Sequence, residues 1–150
     1  MKSIFRIFFI LSATMIITSF SDRWIQNTYS LVVDVSGLRN SKGILQVALY
    51  NKEGSIPDEH YRNYFRLVRK EINEGSAKLI FTDLPEGKYA VNVLHEENNN
   101  GKIDKGLILP EEGIGFSNYQ SIGLRNKPSF EKASFDLFAD KSIIVKIIYM

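Results

Sequence analysis

The chain has 150 residues, of which 44% are apolar and 24% are charged, and it contains no cysteine. The absence of thiols excludes disulfides, thiolate metal sites and thiol catalysis. Basic residues outnumber acidic ones by only 19 to 17, and the length suits a single domain.

The first 21 residues have the layout of a secretory signal peptide. Lys2 and Arg6 form a basic start, residues 7–17 are almost wholly apolar, and Ser19-Phe20-Ser21 offers a cleavage site of small residues. The apolar run is too short to span a bilayer. We therefore expect this segment to be removed, leaving residues 22–150 as one domain in the periplasm or outside the cell, without a membrane span.

Removal of the signal segment changes the charge argument. It takes away two basic residues and no acidic residue, which leaves 17 of each. A neutral domain has no electrostatic attraction for nucleic acid or for an anionic membrane surface. We therefore expect neither as a partner.

The remaining chain alternates between apolar and polar residues in the way that is typical of β-strands. The pattern predicts strands over residues 31–36, 45–50, 65–72, 76–82, 89–93, 135–137 and 143–149. The turn residues Asn73-Glu74-Gly75 predict a hairpin between the third and fourth of these. About seven short strands separated by turn residues indicate an all-β fold, a single β-sandwich.

One stretch, residues 55–65, does not follow the strand pattern. It begins with Pro57-Asp58-Glu59, a composition typical of helix starts. Aromatic and apolar residues then recur at helical spacing, at Tyr61, Tyr64, Phe65 and Val68. We predict a short helix over one sheet edge. With Arg62 and Arg66 nearby, these aromatic residues could form a ligand surface. We prefer the interpretation that they pack in the core.

The segment from His95 to Asp104 has the spacing of a calcium loop. Calcium prefers several oxygen ligands, supplied at alternate positions around a glycine that permits a sharp turn. The candidate ligands are Glu96, Asn98, Asn100, the backbone carbonyl of Lys102, and Asp104, with Gly101 at the turn. We therefore consider calcium as the one candidate cofactor.

Two features argue against a full helix–loop–helix calcium site. Leu107 stands where such a site places a bidentate glutamate, and only Glu96 and Asp104 would bring charge. Glu111 or Glu112 can complete the shell if the following segment folds back, and the expected dissociation constant is roughly 10⁻⁴ to 10⁻³ M. A turn without metal remains the alternative, since asparagine and glycine concentrate in turns.

His95 shares the phase of Tyr89, Val91 and Val93, which places its ring on the inner side of the strand. We interpret it as a structural residue whose hydrogen bond fixes the loop, together with Gly101. The competing interpretation makes it the general base of a secreted hydrolase that also uses the acidic loop.

The run from Phe81 to Val91, with its Leu84-Pro85-Glu86-Gly87 turn, is similar to transthyretin-like and carboxypeptidase-regulatory-like sandwiches, which are Ig-like in architecture. With the His95–Asp104 segment and the later Gly115-Phe116-Ser117-Asn118, the chain resembles the domain-of-unknown-function 2141 family of secreted bacterial proteins. The resemblance covers residues 31–149. It implies a signal peptide and a compact β domain but no established activity, and Glu96 stands where the family usually has aspartate.

Residues 96–129 form a long predicted loop, and we expect it to pack on the domain because it carries large apolar residues, among them Leu107, Ile108, Leu109, Ile114, Phe116 and Tyr119. Phe116 and Tyr119 would either cover the core or line a groove for a glycan, a peptide or a partner protein. The preferred function is a secreted, non-enzymatic binding or structural module, and stabilisation by calcium through residues 95–104 stays open beside the turn without metal. The alternatives are the hydrolase and a glycan- or peptide-binding module using residues 107–119.

Overall fold

The computed structural model describes residues 27–72, 77–97 and 112–150. Eight strands and one short helix lie in these ranges. In chain order they are β1 (Thr28–Ser36), β2 (Ile44–Tyr50), β3 (Arg66–Glu71), β4 (Ala77–Pro85), β5 (Gly87–Glu96), β6 (Gly113–Phe116), α1 (Phe130–Ala133), β7 (Phe135–Leu137) and β8 (Lys141–Lys146). Helix α1 and β6 fall within or beside the predicted long loop.

The strands form two sheets, so the fold is the all-β sandwich that the sequence predicts. One sheet has three strands in the order β4-β1-β8, and β1 is antiparallel to β4 but parallel to β8. The other has the order β3-β2-β5-β6, with β7 paired to the start of β5. Among the described residues, no helix has the length and apolar character needed to cross a membrane.

The inner faces of the two sheets enclose the main core. Alternate residues of β1, β2 and β5 point inward because successive side chains of a strand lie on opposite faces. Sixteen buried residues form this cluster, including Leu31, Val33, Leu45, Val47 and Val93. The alternation read from the sequence therefore selects the correct inner face.

A second apolar cluster covers the outer face of the five-stranded sheet. It joins Ala48 and Tyr50 of β2 to Leu94 of β5 and Phe116 of β6, beneath side chains from the later chain and from residues 55–65. Strand β5 is consequently buried on both faces from Tyr89 to Glu96. This is the layer that positions the polar groups described below.

The predicted hairpin across Asn73-Glu74-Gly75 is wrong. Strand β3 pairs with β2 in the five-stranded sheet, whereas β4 pairs with β1 in the three-stranded sheet. The chain therefore crosses from one sheet to the other between these strands. Alternation identifies a strand and its inner face, but it does not identify the hydrogen-bonding partner.

The helix predicted in residues 55–65 is also wrong, and the short helix of the described chain is α1. The Asp58 carboxylate accepts hydrogen bonds from the backbone N–H groups of Arg62 (2.8 Å) and Asn63 (2.7 Å). In a helix the Arg62 N–H would bond to the Asp58 carbonyl, so the aspartate side chain competes directly with the helix. Tyr61, with φ of 49°, also lies outside helical geometry.

Candidate functional site

The end of β5 and the start of β6 form the foot of the predicted calcium loop. His95 pairs with Gly113 across the two strands, and the backbone N–H of Glu97 donates to Oε1 of Glu112 at 3.2 Å. The two ends of the segment 98–111 are therefore held together.

Most of the predicted metal ligands lie outside the described residues. This applies to Asn98, Asn100, Lys102 and Asp104, and also to the turn residue Gly101. Glu96 is described. It is 1% exposed, and Glu112 is 4% exposed, so two carboxylates are buried at the foot of the loop.

His95 is fully buried at the inner side of this foot. Its Nε2 lies 2.8 Å from the carbonyl oxygen of Lys42, and its Nδ1 lies 2.5 Å from the hydroxyl of Tyr149. Because a carbonyl only accepts, Nε2 carries the proton in the neutral ring and Nδ1 accepts from the tyrosine. The Tyr149 hydroxyl in turn accepts from the Arg39 backbone N–H at 3.1 Å. His95 thus ties β5 to the β1–β2 connection and to the C-terminal chain.

Glu97 is held by the same connection. Arg39 donates to both of its carboxylate oxygens in a salt bridge, and the Asn40 side chain donates to Oε1 at 2.6 Å. The hydrogen bonds from Arg39 lower the pKa of Glu97 to about 2, with Asn40 contributing in the same direction and burial opposing them. Glu97 is thus committed to a structural ion pair.

Gly43 permits the close approach of the β1–β2 connection to β5. A Cβ at this position would collide with the backbone carbonyl of Glu96, and φ of +68° is unfavourable for other residues. The position of the Glu96 backbone therefore depends on this glycine.

The described side chains alone do not form a metal site. Among them, no three His, Cys, Asp or Glu residues come together in a way that could hold an ion. An ion at the foot of the loop would need oxygens from the segment 98–104 in addition to Glu96 and Glu112.

Comparison with known proteins adds a family. The sequence model described as "Uncharacterized protein conserved in bacteria (DUF2141)" matches residues 33–146, about three quarters of the chain. The chain belongs to this family. Its description assigns no activity, and no curated protein and no solved structure matches the chain. The recognition made from the sequence is therefore confirmed.

In this family member the outer face of the five-stranded sheet carries a buried polar group that the sequence reasoning missed. Tyr50 donates to Asp58 at 3.2 Å, and Asn92 also hydrogen-bonds the Tyr50 phenol. Burial raises the pKa of Tyr50, and the Asp58 charge raises it further. The available signal was a polar residue, Asn92, in the middle of an apolar strand.

Three buried side-chain atoms on this outer face have no hydrogen-bond partner among the described residues. They are the Tyr61 hydroxyl, Asn92 Oδ1 and Gln46 Nε2, all on buried side chains. Burial raises the pKa of Tyr61 well above its usual value, and the charges of Asp58, Glu112 and Glu96 act in the same direction. The outer layer is therefore polar and negative as well as apolar.

Phe116 and Tyr119 lie inside the outer apolar cluster, at 3% and 4% exposure. The Tyr119 hydroxyl donates to the Lys127 carbonyl and accepts from the Ser129 N–H, both at 3.1 Å. Both rings pack over the sheet and present no surface. Leu107, Ile108 and Leu109 of the same predicted loop lie outside the described residues.

Proposed function

We propose that the protein is an exported, non-enzymatic β-sandwich module in which the segment 95–104 binds a divalent cation such as calcium. Export rests on the signal-like residues 1–21. The calcium proposal rests on oxygen-bearing residues at alternate positions around Gly101. The ion would then stabilise a domain that already has its own core.

The observation that carries the proposal is the closed foot of the loop. The contact between Glu97 and Glu112 joins the two residues that flank a 14-residue segment, so the entropy cost of closing a loop of this length is met without the ion. The buried carboxylates of Glu96 and Glu112 add negative charge at this point. Both effects favour capture of a cation by the remaining oxygen ligands.

The surroundings of His95 favour a binding or structural role over the hydrolase alternative. A general base needs a ring nitrogen that can reach a substrate proton. Both nitrogens of His95 are engaged, by Lys42 and Tyr149, and the ring is 0% exposed. Its hydrogen bonds instead support the strand from which the loop begins.

The proposal is tested by thermal unfolding of the exported protein with calcium or with a chelator. With a dissociation constant of roughly 10⁻⁴ to 10⁻³ M, 10 mM calcium stabilises the native state by about 1–3 kcal/mol. We expect the melting temperature to rise by several degrees, and magnesium to act more weakly. Asp104→Ala should abolish the response.

Asp136→Ala serves as the matched control, because Asp136 is an exposed aspartate on β7, away from the loop. It should retain the full calcium response. A melting temperature that is the same in calcium and in chelator would refute calcium binding. An equal loss of response in both variants would show a general effect of charge rather than a site.

A further inference from the structure

We propose that a surface bowl formed by the chain segment that connects β2 to β3 binds a carboxylate-bearing sugar, such as a uronic acid residue of an acidic glycan. The bowl encloses about 430 Å³ and is lined by Lys52, Glu53, Gly54, Ser55, Arg62, Asn63 and Tyr64. It follows the C-terminal end of β2, whereas Glu96 pairs with Ile44 at the start of that strand. The bowl is therefore separate from the proposed calcium loop, and its ligand does not depend on that loop.

The backbone of the bowl is fixed before any ligand arrives. The buried Asp58 carboxylate accepts from the N–H groups of Arg62 and Asn63 and from the Tyr50 hydroxyl. On the opposite rim, the Ser55 hydroxyl donates to the Lys52 carbonyl at 2.6 Å. A preorganised site loses less entropy when it binds a ligand.

The charges of the bowl suit a single carboxylate. Lys52 and Arg62 are exposed, and neither forms a salt bridge with a described residue. A guanidinium group matches a carboxylate with two parallel hydrogen bonds. Glu53 is the acid in the lining, so the net charge of the lining favours a monoanion. Its carboxylate can accept a hydrogen bond from a ligand hydroxyl.

The same contacts disfavour phosphate. Phosphate sites usually present several free backbone N–H groups to the anion. Here the N–H groups of Arg62 and Asn63 are occupied by Asp58, so the side chains must do the binding. A dianion would also exceed the small net positive charge.

The exposed ring of Tyr64 favours a sugar over other ligands that carry a carboxylate. Its side chain is 40% exposed and lines the bowl, whereas Tyr61, three residues earlier, is buried. An exposed ring offers a flat apolar surface with a polar tip, which can pack against the C–H face of a sugar. Asn63 adds an amide that can hydrogen-bond the hydroxyl groups. Of the two tyrosines in this predicted helix, Tyr61 therefore lies in the core and Tyr64 at the surface.

The test compares two probes by calorimetric titration of the exported protein at low salt. The first is the methyl glycoside of galacturonic acid, which carries one carboxylate, and the second is its methyl ester, which keeps the sugar but removes the charge. We expect the acid to bind at least about tenfold more tightly than the ester, as a charge-assisted hydrogen bond implies. Equal affinities, or no binding of the acid at millimolar concentration, would overturn the proposal.

Arg62→Gln removes the charge but keeps the backbone N–H that Asp58 needs. It should weaken binding of the acid about tenfold, whereas Arg125→Gln, at an exposed arginine in another loop, should leave it unchanged. Tyr64→Ala should weaken both probes. Unchanged binding in Arg62→Gln, or displacement of the galacturonate probe by an equal concentration of sodium sulfate, would show that the bowl is not a uronate site. An unfolding curve measured for each variant serves as the control that it is folded.

Discussion

The two faces of the five-stranded sheet are both buried, but they are built differently. On the inner face, Leu45 and Val47 contact the opposite sheet as part of an apolar core. On the outer face of the same strand, Gln46 and Tyr50 lie among polar and charged groups covered by loop segments. The inner face needs only apolar side chains of suitable size at every second position of the strand. The outer face needs particular partners, and its hydrogen bonds place the residues that could bind a ligand.

The end of β5 combines both kinds of construction. His95 belongs to the inner phase and Glu96 to the outer phase, and each is buried. Both ring nitrogens of His95 form hydrogen bonds, one to the β1–β2 connection and one to the C-terminal chain, so His95 stabilises the foot of the loop. Three predictions test how far this difference between the faces extends.

The largest effect is expected on the inner face. Leu45→Ala deletes part of a side chain that is 0% exposed and should lower the free energy of unfolding by about 2–5 kcal/mol. Urea unfolding followed by circular dichroism measures this change. Leu124→Ala is the control, since Leu124 is 77% exposed and should change stability little. Similar losses in the two variants would mean that burial does not distinguish these positions.

On the outer face, two tyrosines of the same cluster should respond with opposite signs. Tyr119→Phe removes a hydroxyl with two hydrogen bonds and should cost about 1–2 kcal/mol in the free energy of unfolding. Tyr61→Phe removes a buried hydroxyl without a partner among the described residues and should stabilise the protein by up to about 1 kcal/mol. The same urea experiment measures both. A destabilised Tyr61→Phe would reveal a hydrogen bond that the hydroxyl makes in solution.

The smallest effect is expected at Glu97, because its partner Arg39 is about half exposed and solvent screens the pair. The pKa of Glu97 is lowered in the native state from 4.5 to about 2. A lowered native pKa stabilises the fold above pH 4.5, and this contribution is lost as the pH falls towards 2. The melting temperatures of Glu97→Gln and the unaltered protein should therefore differ at pH 6 and converge near pH 2. A difference that does not depend on pH would exclude the ion pair as its cause.

Much of the fold could be predicted because the pattern of alternation is local. The apolar phase of β1, β2, β4 and β5 correctly identified the inner face, including the burial of Leu79 and Phe81. The family was also recognisable, because its motifs are contiguous in the chain. All the calcium ligands, Glu96 included, remain a prediction.

The errors share a physical cause. Residues 55–65 have helical spacing, but the Asp58 side chain takes the N–H groups that a helix would use. That competition depends on a carboxylate held in place partly by Tyr50, eight residues earlier. The surface bowl arises from the same contact, so a sequence reading that assumed a helix could not find it.

The sequence by itself determined that this chain forms strands, which faces of those strands are apolar, and that oxygen-bearing side chains are clustered around the end of β5. These properties depend on neighbouring residues and on the two-residue period of a strand. Tertiary structure decided that β3 and β4 enter different sheets, and that β5 is covered on both sides. The backbone groups at the edge of one strand can pair with those of many other strands. Which strands pair is therefore decided by the packing of the whole chain.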